Sequence, residues 1–401
     1  MTFIIKRTLS PSGAPVKFRD LFFGLKAELF NDDSTRIFKK QVADYFGCNN
    51  IFLLSSGKAA LFQILKAISS FSDRKDIIIP AYSSFCLAST VAASGLSVKL
   101  CDVDLKYLDF DLEHLSRLVD EKTLAVIPVH LFGLVARLDE ISEITRSKGA
   151  FLIEDAAQAA GAEYNGQCVG TIGDAGIYSL GRGKSISTVH GGIIVSKKND
   201  LANVIAENVR KLPFTKVPNK FSMLFTAFAI TFFLRPEFYF IPNSLPFLKL
   251  GANIYAPDFK SFSFSKLQAG IGKKNFIKLD SYNMQRMKNA RLLSKSLINT
   301  NKVALPQIAK KAQPCFTRFP VICMDSKSRD RKFYELNKAG LGISKNFPFP
   351  LSKIKEFKKY IVNSNDGFPN SKKLCEILLT LPTHPFVKKK DLMNMVEIIS
   401  L

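Results

Sequence analysis

The chain is poor in the residues that build metal and disulfide sites. It contains no tryptophan, four histidines and seven cysteines among 401 residues. The cysteines form no Cys-x-x-Cys pair and have no histidine at zinc-finger spacing; they stand at positions 48, 86, 101, 168, 315, 323 and 375. This scatter argues against a disulfide scaffold or a zinc module, predicts no metal site, and is typical of a reducing compartment.

The chain also lacks a hydrophobic run long enough to cross a membrane. Its longest predominantly apolar stretch, residues 221–234, has 14 residues, whereas a bilayer span needs about 20. Residues 1–7 place a short apolar stretch before the basic residues, which is not the order of an export signal. The sequence therefore predicts a cytoplasmic protein, with peripheral contact at the inner face of the membrane left open.

Acidic residues are scarce in the second half of the chain. Residues 201–401 carry 34 basic and 12 acidic side chains, against 23 and 22 in residues 1–200, and the formal net charge is +23. Such a surplus of positive charge has three interpretations: nucleic acid binding, solvated surface lysines, or attraction to an acidic membrane or a diphosphate-bearing substrate. No recognition module accompanies the charges, so nucleic acid is the least favoured.

The apolar stretch 221–234 bears on the membrane interpretation. Cations flank it, as an interfacial helix requires; they are Lys211, Lys216, Lys220 and Arg235. Because the stretch is apolar nearly all round, a buried helix or a dimer contact fits it equally well.

Short apolar runs alternate with helical periods between residues 50 and 200. This alternation predicts an α/β fold: a three-layer, mostly parallel sheet with helices on both faces and right-handed crossovers. Predicted strands are 51–54, 76–79, 98–101, 124–129, 151–153, 176–179 and 192–196, and predicted helices are 59–69, 85–93, 112–118, 138–148 and 201–211.

Composition changes after residue 211, where prolines and lysines become frequent. We predict a large cofactor-binding domain over residues 1–211, a linking region with one apolar helix over 212–260, and a smaller α+β domain over 261–401. The first 30 residues or so are expected to pack on the small domain or on a partner subunit.

Three short segments carry candidate chemistry. Asp155 comes directly after a predicted strand, at the end of the sheet where ligands bind. Lys184 follows in a glycine-rich loop that opens at Ser179, and such a loop lets an amine reach a carbonyl. Ser56, Gly57 and Lys58 form a strand-to-helix turn whose free N–H groups suit an anion. Singly these signals are weak, since loop lysines are commonly solvated and post-strand aspartates commonly cap helices.

Together these segments resemble the DegT-type (StrS-like) sugar aminotransferases, which use pyridoxal 5'-phosphate and have the aspartate aminotransferase fold (fold type I). The resemblance covers most of the chain, and the matching segments are 56–57, 80–83, 102–104, 129–133, 154–158, 173–174, 179–184, 191–192 and 381–385. The most specific of these is the block around Asp155 and Gln158, followed at the family's spacing by Ser179 and Lys184.

The resemblance implies a role for each matching residue. Lys184 would form the Schiff base with the cofactor and later move a proton, Asp155 would pair with the pyridine nitrogen, and Gln158 would donate to the ring oxygen. The phosphate would be held by Ser56, Gly57, Lys58 and Ser179. Tyr82, Ser84 or Phe85 would stack on the ring. Counting back from Gly95 puts the family's usual aromatic position at residue 84, where this chain has serine.

The chain departs from the family at several positions. Lys58 replaces a threonine that usually binds phosphate, and a lysine can serve as a point charge instead. His190 stands where many members have an acidic residue. His190 and His384 are candidate substrate residues, with a purely structural role in a loop or turn as the alternative. Tyr82 is a further candidate substrate contact. His130 is expected to be a packed core side chain. The family's Asn-x-Arg-Met segment is not recognisable in residues 259–265, which weakens the expected contact across a homodimer.

The resemblance implies an aminotransferase that moves an amino group from an amino acid, glutamate in this family, to a keto sugar nucleotide for cell-surface polysaccharide or glycan synthesis. One alternative is a sugar dehydratase, which Lys184 disfavours because the family's dehydratases typically replace that lysine. The other is a non-catalytic, membrane-associated protein of polysaccharide assembly that keeps the fold.

Overall fold

The computed structural model describes residues 7–30, 32–215, 217–248 and 250–401, with side chains for all of these except 217–219. Residues 1–6, on which the export-signal prediction rests, and Lys216 of the predicted cationic flank lie outside the described residues.

The described strands form one large and two small sheets. They are β1 (Ile51–Leu54), β2 (Asp76–Pro80), β3 (Ser97–Cys101), β4 (Thr123–Val126), β5 (Phe151–Asp155), β6 (Glu163–Tyr164), β7 (Gln167–Cys168), β8 (Ala175–Ser179), β9 (Gly192–Ser196), β10 (Val303–Ala304), β11 (Ala312–Gln313), β12 (Arg318–Cys323) and β13 (Leu378–Pro382).

The described helices alternate with the strands in the first half of the chain and dominate the second. They are α1 (Phe18–Phe30), α2 (Ser34–Phe46), α3 (Gly57–Ile68), α4 (Phe85–Ser94), α5 (Leu112–Leu118), α6 (Leu138–Arg146), α7 (Asn199–Arg210), α8 (Val217–Phe233), α9 (Phe240–Asn243), α10 (Lys266–Asn275), α11 (Leu279–Leu297), α12 (Ser326–Lys338), α13 (Pro369–Ile377) and α14 (Lys389–Ser400).

The large sheet has seven strands in the order β1-β9-β8-β5-β4-β2-β3. All of its strands are parallel except β9, which runs antiparallel to both β1 and β8. Consecutive side chains of β2 point to opposite faces: Ile77 and Ile79 join a core with α3 and α4, whereas Ile78 joins a core with α5 and α6. Helices therefore cover both faces, which confirms the predicted three-layer fold.

The second half of the chain builds a smaller unit around an antiparallel sheet of β10, β12 and β13. The N-terminal segment packs on this unit, since the Leu9 N–H donates to the Gly340 carbonyl at 2.8 Å and Arg7 pairs with Asp391 at 2.5 Å. Along the chain, α8 and α9 come between the two units, and α1 packs against both α8 and α10. The domain boundaries of the sequence analysis stay a prediction.

Most predicted elements of residues 50–200 fall within two residues of the observed ones, and two strands need correction. The predicted strand 124–129 ends at Val126, close to Pro128, which has no N–H to donate to a ladder. The predicted strand 151–153 continues to Asp155, which pairs with Ile177 of β8. Asp155 is therefore the last residue of the strand itself.

Gly176 lies where two backbone segments meet, and it supports a stability prediction. A Cβ at this position would stand 2.1 Å from the Gly170 carbonyl oxygen, so Gly176→Ala must displace backbone. We expect a loss of about 3 kcal/mol in unfolding free energy, measured by urea denaturation. Gly367→Ala is the control, because its nearest atom is 3.9 Å away, and equal stabilities of the two variants would contradict the packing.

Candidate active site

The carboxyl ends of β1 and β8 meet at the beginning of α3. Ser56 caps that helix, and its Oγ accepts from the Ala59 N–H at 3.1 Å. Gly57 and Ser179 are close neighbours, because a Cβ on Gly57 would lie 3.2 Å from the Ser179 Cβ. Gly192 leaves room for this turn, since a Cβ there would lie 2.2 Å from the Ser56 carbonyl oxygen. The first turn of α3 thus presents its N–H groups beside Ser179, which suits an anion.

Lys184 and Asp155 interact electrostatically at the same end of the sheet. Burial lowers the pKa of the Lys184 ammonium, while the Asp155 carboxylate acts to raise it. Burial raises the pKa of the Asp155 carboxyl, and Lys184 opposes this shift. The Ala157 N–H donates to Asp155 Oδ1 at 3.0 Å and orients the carboxylate. An amine with a lowered pKa is more readily neutral, the form that attacks a carbonyl.

A buried carboxylate next to Asp155 holds the end of β5 in place. Glu154 accepts from the backbone N–H groups of residues 170, 172 and 173 at 2.6–2.7 Å and from His130 Nε2 at 3.2 Å. Burial alone would raise the pKa of Glu154, but these hydrogen bonds leave it below its ordinary value. His130 also accepts from the Ala136 N–H through Nδ1. It is a packed, fully hydrogen-bonded side chain.

The side chain of Lys58 contacts the segment before α10. Its ammonium donates to the Ala256 carbonyl at 3.4 Å and lies 4.6 Å from the centroid of the Phe259 ring. Both partners belong to the segment before α10, whose approach could not be inferred from the local sequence. The backbone N–H of residue 58, in the first turn of α3, is the part that faces an anion there.

The aromatic candidates after β2 pack against the small domain. Tyr82 is fully buried with its ring 5.0 Å from that of Phe347, and burial raises its pKa far above the usual range. Phe85 is buried against Phe349, also at 5.0 Å. Ser84 caps α4 by accepting from the Cys86 N–H at 3.2 Å. Both rings pack against phenylalanines of the smaller unit. The substrate contact of Tyr82 and the stacking on the cofactor by Tyr82, Ser84 or Phe85 stay predictions.

The other candidate side chains occupy different surroundings. Gln158 is half-buried in the turn after Asp155, and its side-chain amide has no hydrogen-bond partner in the described part of the chain. His190 is exposed and contributes its carbonyl, which accepts from Gln268 Nε2 at 2.7 Å. His384 is fully buried, and its Nε2 donates to the Ser10 carbonyl at 2.9 Å. His384 therefore holds the N-terminal segment in place, and its role as a substrate residue stays a prediction.

Sequence reasoning missed two arginines that border the Lys184 loop. Arg286 of α11 is fully buried and donates to the carbonyls of Gly13, Lys184 and Ser185 at 3.1, 3.4 and 2.9 Å. Arg318 of β12 donates to Ser12 Oγ at 3.1 Å and to Asn346 Oδ1, and its charge contributes to the lowered pKa of Lys184. Burial lowers the pKa of both guanidinium groups to about 10. Neither lies in a motif near Lys184 in sequence, so no local signal marks them.

Cys86 is a third missed neighbour. It is exposed at the start of α4 and interacts electrostatically with Lys184, while the adjacent Phe85 is buried. No cluster of three or more potential metal ligands occurs among the described residues.

Comparison with known proteins places this geometry in a family. Residues 26–223 and 257–400 match the model of the DegT/DnrJ/EryC1/StrS aminotransferase family. The chain belongs to this family. Membership confirms the resemblance predicted from residues 154–158 and 179–184, and it places the chain among enzymes described as aminotransferases.

Individual family members differ in the reactions that their names describe. A dTDP-4-dehydro-2,3,6-trideoxy-D-glucose 4-aminotransferase of Saccharopolyspora spinosa is 24% identical over 88% of this chain and 84% of its own length. A GDP-4-keto-6-deoxy-D-mannose 3-dehydratase of Yersinia pseudotuberculosis is 31% identical over 43% of this chain and 45% of its own length. The structure of the sugar aminotransferase CalS13 from Micromonospora echinospora has a TM-score of 0.79 at 18% identity, covering 98% of this chain and 99% of that one. This likeness confirms the fold.

His384 gives a pH-dependence prediction. Burial lowers its pKa to about 4 from the ordinary 6.5, so the folded state holds it neutral while the unfolded chain takes up a proton below pH 6.5. The stabilisation is complete above pH 6.5 and falls by up to about 3 kcal/mol as the pH approaches 4. Urea denaturation at a series of pH values should show a smaller loss for His384→Gln than for the wild type. An unchanged pH dependence in His384→Gln would contradict the assignment.

Proposed function

We propose that this site holds pyridoxal 5'-phosphate and transfers an amino group from an amino acid to a keto sugar nucleotide. The observation that carries the proposal is the electrostatic interaction of Lys184 with Asp155 at the strand ends, beside the first turn of α3. The donor set fits the cofactor: an amine for its aldehyde, a carboxylate for its pyridine nitrogen, and N–H groups with Ser179 for its phosphate.

Each residue then has a specific task. When bound, the cofactor supplies an electron-withdrawing ring whose protonated nitrogen strengthens that property. Asp155 would keep the ring nitrogen protonated, and Gln158 would donate its amide to the ring oxygen. Ser56, Gly57 and Ser179, with the N–H of Lys58, would hold the phosphate. Lys184 would bond to the aldehyde carbon and move a proton, while Arg286 fixes the backbone at Lys184.

The proposed substrates rest on the residues of the site and on the names of the relatives. We propose glutamate as the amino donor, a nucleotide-linked keto sugar as the acceptor, and a product used in cell-surface polysaccharide or glycan synthesis. The nucleotide sugars in the names of the two relatives support this class of acceptor. We also propose a cytoplasmic homodimer, and we treat peripheral membrane contact as a separate property of another surface.

Dehydration of a keto sugar is the second candidate function. The dehydratase relative motivates it, and the position of Lys184 argues against it, because a lysine beside the reacting carbon favours amino transfer. Incubation with glutamate and a panel of keto sugar nucleotides distinguishes the candidates. Amino transfer yields 2-oxoglutarate and an amino sugar nucleotide in equal amounts, whereas dehydration yields a sugar without new nitrogen. Bound cofactor with neither product would favour the non-catalytic alternative.

The lysine assignment is tested by absorbance and retention of the cofactor. Wild-type protein incubated with pyridoxal 5'-phosphate should show the spectrum of a lysine-linked cofactor that borohydride makes permanent, and Lys184→Ala should show neither. Lys58→Met is the matched control and should keep both, because its ammonium is engaged by Ala256 and Phe259. Permanent attachment in Lys184→Ala, or its loss in Lys58→Met, would contradict the assignment.

The carboxylate assignment is tested separately. Asp155→Asn keeps the shape of the side chain and removes its charge, so the ring nitrogen loses the group that keeps it protonated. We expect the rate of amino transfer from glutamate to fall on the order of 10²-fold or more, with the lysine-linked cofactor still present. The exposed Glu143→Gln is the control, and an undiminished rate in Asp155→Asn would contradict the assigned role.

A further inference from the structure

Helices α1 and α8 are apolar on the face that is turned to solvent as well as on the face that is buried. Buried side chains such as Leu21 and Ala27 of α1, and Met223 and Ala227 of α8, fill the inner faces. The outer faces expose large apolar residues at spacings of three and four, which put them on one side of each helix; these are Phe18, Phe22, Leu25, Leu29, Phe221, Phe225 and Phe228. Neither helix has the polar outer face of an ordinary surface helix.

The two exposed stripes join into one surface, which we call the α1–α8 face. The rings of Phe18 and Phe228 are 5.6 Å apart at one end of the helix pair, and Lys220 pairs with Glu28 at 2.5 Å at the other. The five phenylalanines are 45–75% exposed. At about 200 Å² each they present on the order of 600 Å², the upper end of the largest patches on ordinary monomers.

Cations border this face. The Arg235 guanidinium lies 5.8 Å from the centroid of the Phe18 ring, Lys26 follows Phe22 by one helical turn, and Lys17 and Arg19 stand at the beginning of α1. None of these four makes an ion pair with a described acid. The acids of α1 are already engaged, Asp20 by Lys278 and Glu28 by Lys220. Exposed phenylalanines within a positive border match an acidic lipid surface, where the rings enter the boundary of headgroups and chains.

The face lies largely outside the two segments that match the family model. The family match covers residues 26–223 and 257–400, so Phe18, Phe22 and Leu25 of α1 and Phe225 and Phe228 of α8 fall outside it. A second copy docked here by twofold symmetry would bring the same positive border against itself, which disfavours a dimer through this face.

We propose that the α1–α8 face docks on an anionic lipid bilayer, with α8 lying in the plane of the interface. No described helix is long and apolar enough to cross a membrane, so this contact is peripheral. Leu234, directly after α8, lies against Gly13 of the N-terminal segment. The Gly13 carbonyl accepts from Arg286, which also bonds to the carbonyls at Lys184 and Ser185. Docking would hold the reaction close to the membrane surface.

Co-sedimentation of the full-length protein with vesicles tests the proposal. The probes are vesicles of phosphatidylcholine with and without phosphatidylglycerol. We expect binding to the mixed vesicles that weakens as salt rises. Phe221→Ser with Phe225→Ser should reduce the partition coefficient at least tenfold, and Lys17→Glu with Lys26→Glu should reduce it by about tenfold or more.

Matched control variants distinguish binding through the α1–α8 face from nonspecific binding to vesicles. Met324→Ser with Val362→Ser removes equally exposed apolar groups elsewhere, and Lys66→Glu with Lys295→Glu makes the same change in net charge; both should bind as the wild type does. The proposal is overturned if wild type ignores phosphatidylglycerol, or if the face variants bind like their controls. It is equally overturned if sedimentation velocity shows that the phenylalanine variant dissociates a dimer while wild type binds no vesicles. These assays measure no turnover, so their result is independent of the proposed reaction.

Discussion

The attraction between a half-buried amine, Lys184, and a half-buried carboxylate, Asp155, is the interaction on which the site depends. Lys184 alone would be driven toward its neutral form and Asp155 toward its protonated form, and each resists the shift of the other. The surrounding structure holds the two side chains in position. Glu154 fixes the end of β5 through backbone N–H groups, and Arg286 fixes the carbonyls of the Lys184 loop. The first turn of α3 completes the arrangement by supplying an anion site at the same edge of the sheet.

The sheet and the order of the reactive residues could be predicted because they depend on local signals. Apolar runs bounded by glycine, proline and charge place the strands of residues 50–200 closely, and parallel strands bring their carboxyl ends together. The directions of side chains could not be predicted in this way. Lys58 turns to Ala256 and Phe259, Tyr82 to Phe347, and His384 to Ser10. Each partner lies in a segment whose position is decided by tertiary packing. For the same reason, the positions of Arg286 and Arg318 near Lys184 could not be predicted from the sequence.

The apolar stretch 221–234 acquires a location in the fold. The stretch forms most of α8, whose exposed phenylalanines join those of α1, and Arg235 borders the joint surface. The proposed cofactor residues come from β1, β5, β8 and the loops that follow them. The proposed catalysis and the proposed membrane contact thus use different parts of the chain, and the N-terminal segment at Gly13 lies near both.

The central claim is that Lys184 is the residue to which the cofactor binds covalently. The most direct measurement is peptide mapping by mass spectrometry after the complex with pyridoxal 5'-phosphate has been fixed with borohydride. The account predicts one labelled peptide, with the label on Lys184. Label on Lys58 or on another lysine, or a fixed complex without any labelled peptide, would contradict it.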